Sequence, residues 1–192
     1  MRVVAGRLGG RTLRAVPGVA TRPTSDRVRE ALFAVLGDRV RGARVLDLFA
    51  GTGALAIEAL SRGADRAVLV EQAAPAVAVI RTNLAALELN SSATVRRTRA
   101  ETYLRTRGDG PFDLVFLDPP YAVGVGLLAG LLARLADGAL APGATVVVEA
   151  AARSEAPVWP PGLLAEAPRR YGDTALHLAT FTPPPGGTPG EG

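Results

Sequence analysis

Two short segments of this 192-residue chain carry residue types suited to handling an amine and a flat, charged ligand. The first is Asp47-Leu48-Phe49-Ala50-Gly51-Thr52-Gly53-Ala54, where a carboxylate precedes a turn with two glycines. Glycines at such a corner permit a sharp turn with positive φ and let a ligand approach backbone that carries no Cβ. The second is Asp118-Pro119-Pro120-Tyr121. Its two prolines fix φ and remove two backbone donors, leaving carbonyls that can only accept, and Asp118 adds a carboxylate acceptor. Acceptors without donors suit an exocyclic NH2 group: Asp118 and the Pro119 carbonyl take its two hydrogens while the nitrogen lone pair turns toward an electrophilic methyl. Tyr121 offers a face on which a base flipped out of its stack can lie. The bland alternative is an ordinary strand-ending turn, in which Asp, Pro and Tyr are common.

The glycine turn by itself is ambiguous. Gly51-x-Gly53-x-x-Ala56 also fits a dinucleotide fingerprint, and Glu71, twenty residues beyond Gly51, stands where an acid can hold ribose hydroxyls. Two features favour a different ligand. Asp47 lies inside the first strand near its carboxyl end, and the turn follows Phe49-Ala50 rather than the strand itself. A carboxylate there can accept hydrogen bonds from an ammonium group or a water, and it would repel a pyrophosphate. The cofactor expected is S-adenosylmethionine, held by Asp47, Phe49, Gly51, Gly53, Ala54, Glu71 and Gln72. The alternatives are a dinucleotide site, or a structural turn in which Asp47 is a buried polar residue tied to backbone amides.

Both segments need a scaffold. From Arg44 onward, short Val/Leu/Ile runs alternate with longer helical patterns, which predicts βα units around a parallel sheet and an α/β fold. Strands are expected at residues 45–49, 67–70, 93–96, 114–117 and 145–149. Helices are expected at 54–61, 74–87 and 124–136, with a weak turn at 102–106. Residues 171–181 alternate in part and should add an antiparallel strand at the sheet edge. Ligands of such sheets bind outside the carboxyl ends of the strands, so the glycine turn and the Asp118 loop should lie side by side. Residues 1–22, broken by Gly6, Gly9-Gly10 and Pro17-Gly18, read as a small hairpin or loop-rich arm. After Pro23, Thr24 or Ser25 can cap a helix over 27–36, in which Val28, Leu32, Val35 and Leu36 recur at helical spacing. The expected organisation is a basic arm and helix at 1–43, a cofactor-binding domain at 44–182, and a disordered Pro/Gly-rich tail at 183–192.

Composition narrows the chemistry further. At 48% apolar residues the chain can bury one sizeable core. With no cysteine and only His177 among histidines, disulfides, thiolate nucleophiles and cysteine or multi-histidine metal sites are excluded, so no metal is expected. No run is long enough to span a membrane and no secretion signal is evident, so a cytoplasmic location is expected. Charge is unevenly placed: residues 1–44 carry a net +7 and residues 45–192 a net −3. A basic segment on a near-neutral body suggests a polyanion-binding extension, with Arg7, Arg11, Arg22 and Arg27 as candidate phosphate contacts. The competing reading pairs these arginines with Asp26 or Glu30 on a solvated surface. His177 and Trp159 are left unassigned, with core packing or loop anchoring favoured over catalysis.

Taken together, Thr21-Arg22-Pro23-Thr24, the helix Arg27-Val28-Arg29-Glu30-Ala31-Leu32-Phe33, the glycine turn, Asp118-Pro119-Pro120-Tyr121 and Tyr171-Gly172-Asp173-Thr174 resemble the bacterial 16S ribosomal RNA guanine-N(2)-methyltransferase family over about residues 1–182. The resemblance implies a Rossmann-like, seven-stranded class I methyltransferase sheet with a small N-terminal extension that engages RNA. It implies methyl transfer from S-adenosylmethionine to the N(2) amine of one guanine in the head of the small subunit, position 966 in the usual ribosomal RNA numbering. Asp118, Pro119, Pro120 and Tyr121 are then the catalytic loop. The partner is 16S ribosomal RNA, in the small subunit or an assembly intermediate, and the enzyme is expected to act as a monomer. One position departs from the pattern: where such enzymes usually place an Asp near the cofactor's adenine, this chain has Arg99, leaving Ala100 and backbone groups, or Glu101, to meet the ring. Rival readings are methylation of adenine in DNA, methylation of a glutamine side-chain amide, and a non-catalytic RNA-binding assembly factor.

Overall fold

Residues 45–48, 67–70, 114–117 and 146–148 are buried on both faces of a sheet, which is why, Asp47 apart, they read as apolar runs rather than as alternation. The computed structural model describes residues 1–16, 26–106, 108–120 and 124–183. Its elements, in chain order, are α1 (Asp26–Leu36), a 3-10 turn (Gly37–Val40), β1 (Arg44–Asp47), α2 (Ala54–Ser61), β2 (Arg66–Glu71), α3 (Ala74–Ala86), β3 (Ala93–Arg97), α4 (Ala100–Tyr103), β4 (Phe112–Leu117), α5 (Val125–Ala136), β5 (Leu140–Ala151), β6 (Leu163–Ala165), β7 (Arg169–Tyr171) and β8 (Thr174–Phe181). Among them, no helix is long and apolar enough to cross a membrane.

The strand order is β3-β2-β1-β4-β5-β8-β6, with β7 also on β8. β1 to β5 are parallel, and β8 runs antiparallel between β5 and the last pair. β6 pairs with the carboxyl half of β8 (Leu163 with Phe181) and β7 with its amino half (Tyr171 with Thr174). Two short segments thus fill one strand position, giving the seven positions of the Rossmann-like methyltransferase sheet. Chain order reverses beside β1, whose neighbours are β2 and β4, and this switch opens a crevice at the strand tips.

Three details differ from the expectation. Residues 171–181 do not form the sheet edge. β8 lies inside the sheet, with Ala175 to Ala179 buried, because β6 and β7 cover its outer side. Those two strands are only three residues long and sit among Pro160, Pro161 and Pro168, so no periodicity announces them. The helical turn near 102–106 starts earlier, as α4 at Ala100.

Side chains alternate between the faces of the sheet. Val45, Leu69, Phe116 and Val147 point into one layer, packed by α1, α2 and α3. Leu46, Val68, Val115 and Val148 point into the other, packed by α4 and α5. On the first layer rests the N-terminal arm, a hairpin closed by the Arg2–Thr12 bridge and by Val3 N–H donating to the Arg11 carbonyl at 2.9 Å. The arm is held by an acid buried in α2. Glu58, 0% exposed, accepts from the Val4 amide at 2.7 Å, the Ala5 amide at 3.0 Å and Arg62 Nε at 2.7 Å. Arg29, from α1 and also buried, lies 3.6 Å from Glu58, donates to Asp26 at 2.8 Å and donates to the Arg2 carbonyl. At the hairpin tip Gly6 has φ +81°, and a Cβ there would lie 2.1 Å from the Ser61 carbonyl oxygen, so no other residue fits.

Candidate active site

The alternation that builds the first layer also builds the site. Two residues beyond Val45, Leu69, Phe116 and Val147 come Asp47, Glu71, Asp118 and Glu149, so four adjacent strands carry an acid at their carboxyl ends on the same face. All four line one cleft of about 850 Å³. The cleft also takes in Phe49, Gly51 and Ala54 from the glycine turn and first turn of α2, Gln72 after β2, Arg99 and Ala100 at the start of α4, and Pro119 and Pro120. The two segments singled out by residue type therefore share one cavity.

Asp47 is the most constrained of the four. It is 1% exposed, and its Oδ1 has no hydrogen-bond partner. Burial pushes its pKa up to about 7, with Asp118 and then Glu71 adding repulsion, against the pull of the Phe49 and Ala56 amides. An orphaned buried carboxylate oxygen is costly to leave unmatched, and a cationic ligand group is the partner that removes the cost. The donor set thus fits S-adenosylmethionine, whose ammonium and sulfonium are both positive, and fits a pyrophosphate poorly.

Glu71 does more than face the cleft. Its Oε2 accepts from the Gly51 amide at 3.0 Å and its Oε1 from the Ala73 amide at 2.8 Å, so the tip of β2 staples the glycine turn while its remaining lone pairs stay available for ribose hydroxyls. The two glycines have separate duties. Gly51 (φ +54°) lines the cleft, and a Cβ on it would meet nothing nearer than the Phe49 carbonyl oxygen at 4.0 Å. Gly53 (φ +82°), expected to touch the cofactor, instead faces the core: its Cβ would come within 3.1 Å of Leu69. Its role is the left-handed start of α2 and close helix–sheet packing.

Arg99 is exposed at the cleft rim, in the N-cap position of α4, and makes no side-chain cap. Of the proposed phosphate contacts, Arg7 sits at the hairpin tip beside Ser61, at the far end of α2 from the cleft. Arg11 donates to the Ala86 carbonyl at 3.1 Å, and Arg27 is exposed beside the cleft-lining Arg29. Tyr121 and Arg22 lie outside the described residues, as do Thr24 and Ser25. So does the expected tail from residue 184.

Sequence reasoning missed several residues. Met1, Val16 and Arg29 bring the arm and α1 into the cleft wall. Glu149 completes the row of acids, and its signal was available: it follows the apolar run Val146-Val147-Val148. Buried polar residues of two helices, Glu58 in α2 and Asn83 in α3, are docking points of the arm. His177, on β8, is buried, and its pKa is lowered by that burial and by Arg170.

Comparison with known proteins agrees with this geometry. The chain matches the family described as Conserved hypothetical protein 95 over residues 1–180. It is 36% identical to Ribosomal RNA small subunit methyltransferase D of Escherichia coli over 179 residues, covering 93% of this chain and 88% of that protein. It is 46% identical to YlbH of Bacillus subtilis over 123 residues, covering 63% and 67%. The solved structure of yhhF from Escherichia coli superposes with a TM-score of 0.86 at 34% identity, covering 96% of this chain and 99% of that one. With its arm, its glycine turn and its Asp118 loop on one such sheet, the chain belongs to the Conserved hypothetical protein 95 family, the bacterial small-subunit ribosomal RNA methyltransferases.

Proposed function

We propose that this protein transfers a methyl group from S-adenosylmethionine to the exocyclic N(2) amine of a guanine in 16S ribosomal RNA, at a site of the position-966 kind. The observation that carries the reading is that Asp47, with a buried unpartnered oxygen, and the acceptor-only loop Asp118-Pro119-Pro120 open onto one cavity.

Asp47 would hold the cofactor's ammonium group, Glu71 its ribose, and Phe49, Gly51, Ala54, Gln72 and Ala100 the surrounding surface. When bound, the cofactor supplies an electrophilic methyl on a sulfonium. The chain supplies alignment and electrostatics. Asp118 and the Pro119 carbonyl accept the two N–H bonds of the amine, which directs its lone pair toward the strand tips. Methyl transfer from the bound cofactor would leave the amine nitrogen positive. Asp118 stabilises that charge, and the surplus proton leaves to solvent. Arg27, exposed on α1, together with the arm, would bind RNA phosphates, with affinity that falls as salt rises. On this reading the protein works in the cytoplasm as a monomer, on the small subunit or an assembly intermediate.

The test is incubation of the purified protein with methyl-labelled S-adenosylmethionine and small subunits from cells lacking it, followed by mapping of the labelled nucleotide. Label on the N(2) of one guanine is the expected result. Label on DNA or protein but not on RNA would overturn the substrate, and calorimetry showing no uptake of S-adenosylmethionine or S-adenosylhomocysteine would overturn the cofactor.

A further inference from the structure

Asn83 is a carboxamide buried in α3, 2% exposed, among the apolar residues Val77, Ile80 and Leu84. A buried amide is costly unless its hydrogen bonds are made. Here they reach two places far apart in the chain. Oδ1 accepts from the Arg14 N–H at 2.8 Å, and Nδ2 donates to the Arg14 carbonyl at 3.2 Å. Asn83 thus holds both backbone groups of one residue, as a neighbouring strand would. Nδ2 also donates to the Thr52 carbonyl at 3.0 Å. Thr52 stands between Gly51 and Gly53, in the turn that forms one wall of the cleft.

The arm touches that turn a second time. The Thr52 hydroxyl donates to Met1 Sδ at 3.6 Å, and the Met1 carbonyl accepts from the Leu13 amide at 3.0 Å. Both strands of the hairpin therefore converge on Thr52, and the arm's Met1 and Val16 complete the cleft wall beside it. A carboxamide anchored at two points on the arm can offer its remaining N–H to the turn in one arrangement only. A ligand that orders the turn thereby orders the arm, and a ligand that fixes the arm preforms the turn, by the same factor in each direction.

We propose that Asn83 is a positioning residue that couples docking of the arm to occupancy of the cleft, so that RNA on the arm and cofactor in the cleft bind more tightly together than apart. The inference rests on the proposed function for the identity of both ligands. Its test measures the affinity of small subunits for the protein with and without saturating S-adenosylhomocysteine. In the wild type the ligand should tighten subunit binding about tenfold, within the usual range of such couplings. Asn83→Asp keeps the acceptor for the Arg14 amide and loses both donors, so the ratio should fall toward one. Arg14→Ala keeps every backbone bond, so it should retain the ratio even where overall affinity drops.

Hydrogen exchange supplies a readout without RNA: S-adenosylhomocysteine alone should raise protection of the Val3, Gly10 and Leu13 amides in the wild type but not in Asn83→Asp. Equal subunit affinity with and without the ligand, unchanged protection in the wild type, or an undiminished ratio in Asn83→Asp would overturn the coupling and leave the proposed activity standing. Should Asn83→Asp fail to fold, the two wild-type measurements decide. A wild type that takes up neither ligand would fell the proposed function, and the coupling with it.

Discussion

At the tip of β1, Asp47 is sealed from solvent, with one oxygen unpartnered and its pKa pushed up to about 7. At the tip of the neighbouring β4, Asp118 is half-buried beside two prolines, at the mouth of the same cavity. The β1 side is enclosed by the core: Gly53 packs on Leu69, and Glu71 staples the turn. The β4 side presents acceptors to whatever enters. The contrast teaches a division of labour. On the proposed function, burial makes one carboxylate a receptor for a cation, and half-burial lets the other meet the substrate that enters the cavity.

Replacing each acid by its amide strikes at this contrast most directly. Asp118→Asn puts a donor where the amine needs acceptors, so kcat should fall by about 10²–10³, on the order of 3–4 kcal/mol. Single-turnover methylation measures this, and S-adenosylhomocysteine affinity should stay nearly unchanged by calorimetry. A parallel loss of that affinity would merge the two tips into one binding role. Asp47→Asn should do the reverse, weakening S-adenosylhomocysteine by about 10–100-fold, as expected for a hydrogen bond to a charged group worth roughly 1.5–3 kcal/mol. Thermal unfolding of the empty variant should be no lower than wild type, because a buried charge has gone.

The turn itself sharpens the comparison next. Gly53→Ala forces a Cβ into a left-handed position and against Leu69, so chemical denaturation should show a loss of about 1–3 kcal/mol. Gly51→Ala has room for its Cβ in the cleft, so its effect should fall more on ligand affinity than on packing. The smallest effect is the pH dependence. Ligand binding needs Asp47 ionised, so affinity should weaken as pH falls below about 7, by about tenfold per pH unit at most. The folded, empty protein keeps a proton that the unfolded chain releases near the ordinary 3.8, so its stability should decline as pH rises from about 4 to about 7. Affinity that is flat from pH 6 to 8 would deny Asp47 its role.

Much of the fold was legible because its signals are local. The parallel strands announced themselves as apolar runs, α1 as apolar residues at helical spacing, and the glycine turn by two residues that both adopt positive φ. The antiparallel end was less so. Residues 171–181 showed partial alternation suited to an edge, whereas β8 is interior, and β6 and β7 are too short to carry a period. Of the residues that line the cleft, Asp47, Glu71 and Asp118 stood out by residue type, while Glu149, Arg29 and Met1 did not. Gly53 was assigned to the ligand because a sequence motif does not say which way an absent Cβ would have pointed.

What the sequence determined alone is the set of strand tips and their chemistry: an acid two residues after an inward apolar position stays on that face because strand geometry alternates, whatever surrounds it. What tertiary structure decided is which of those acids are sealed and what the arm touches. The bonds from Glu58 to Val4 and from Asn83 to Arg14 and Thr52 join residues 54, 69 and 31 positions apart. Such pairings depend on where helices pack on the sheet, and burial, which sets the charge of Asp47, exists only once that packing has excluded water.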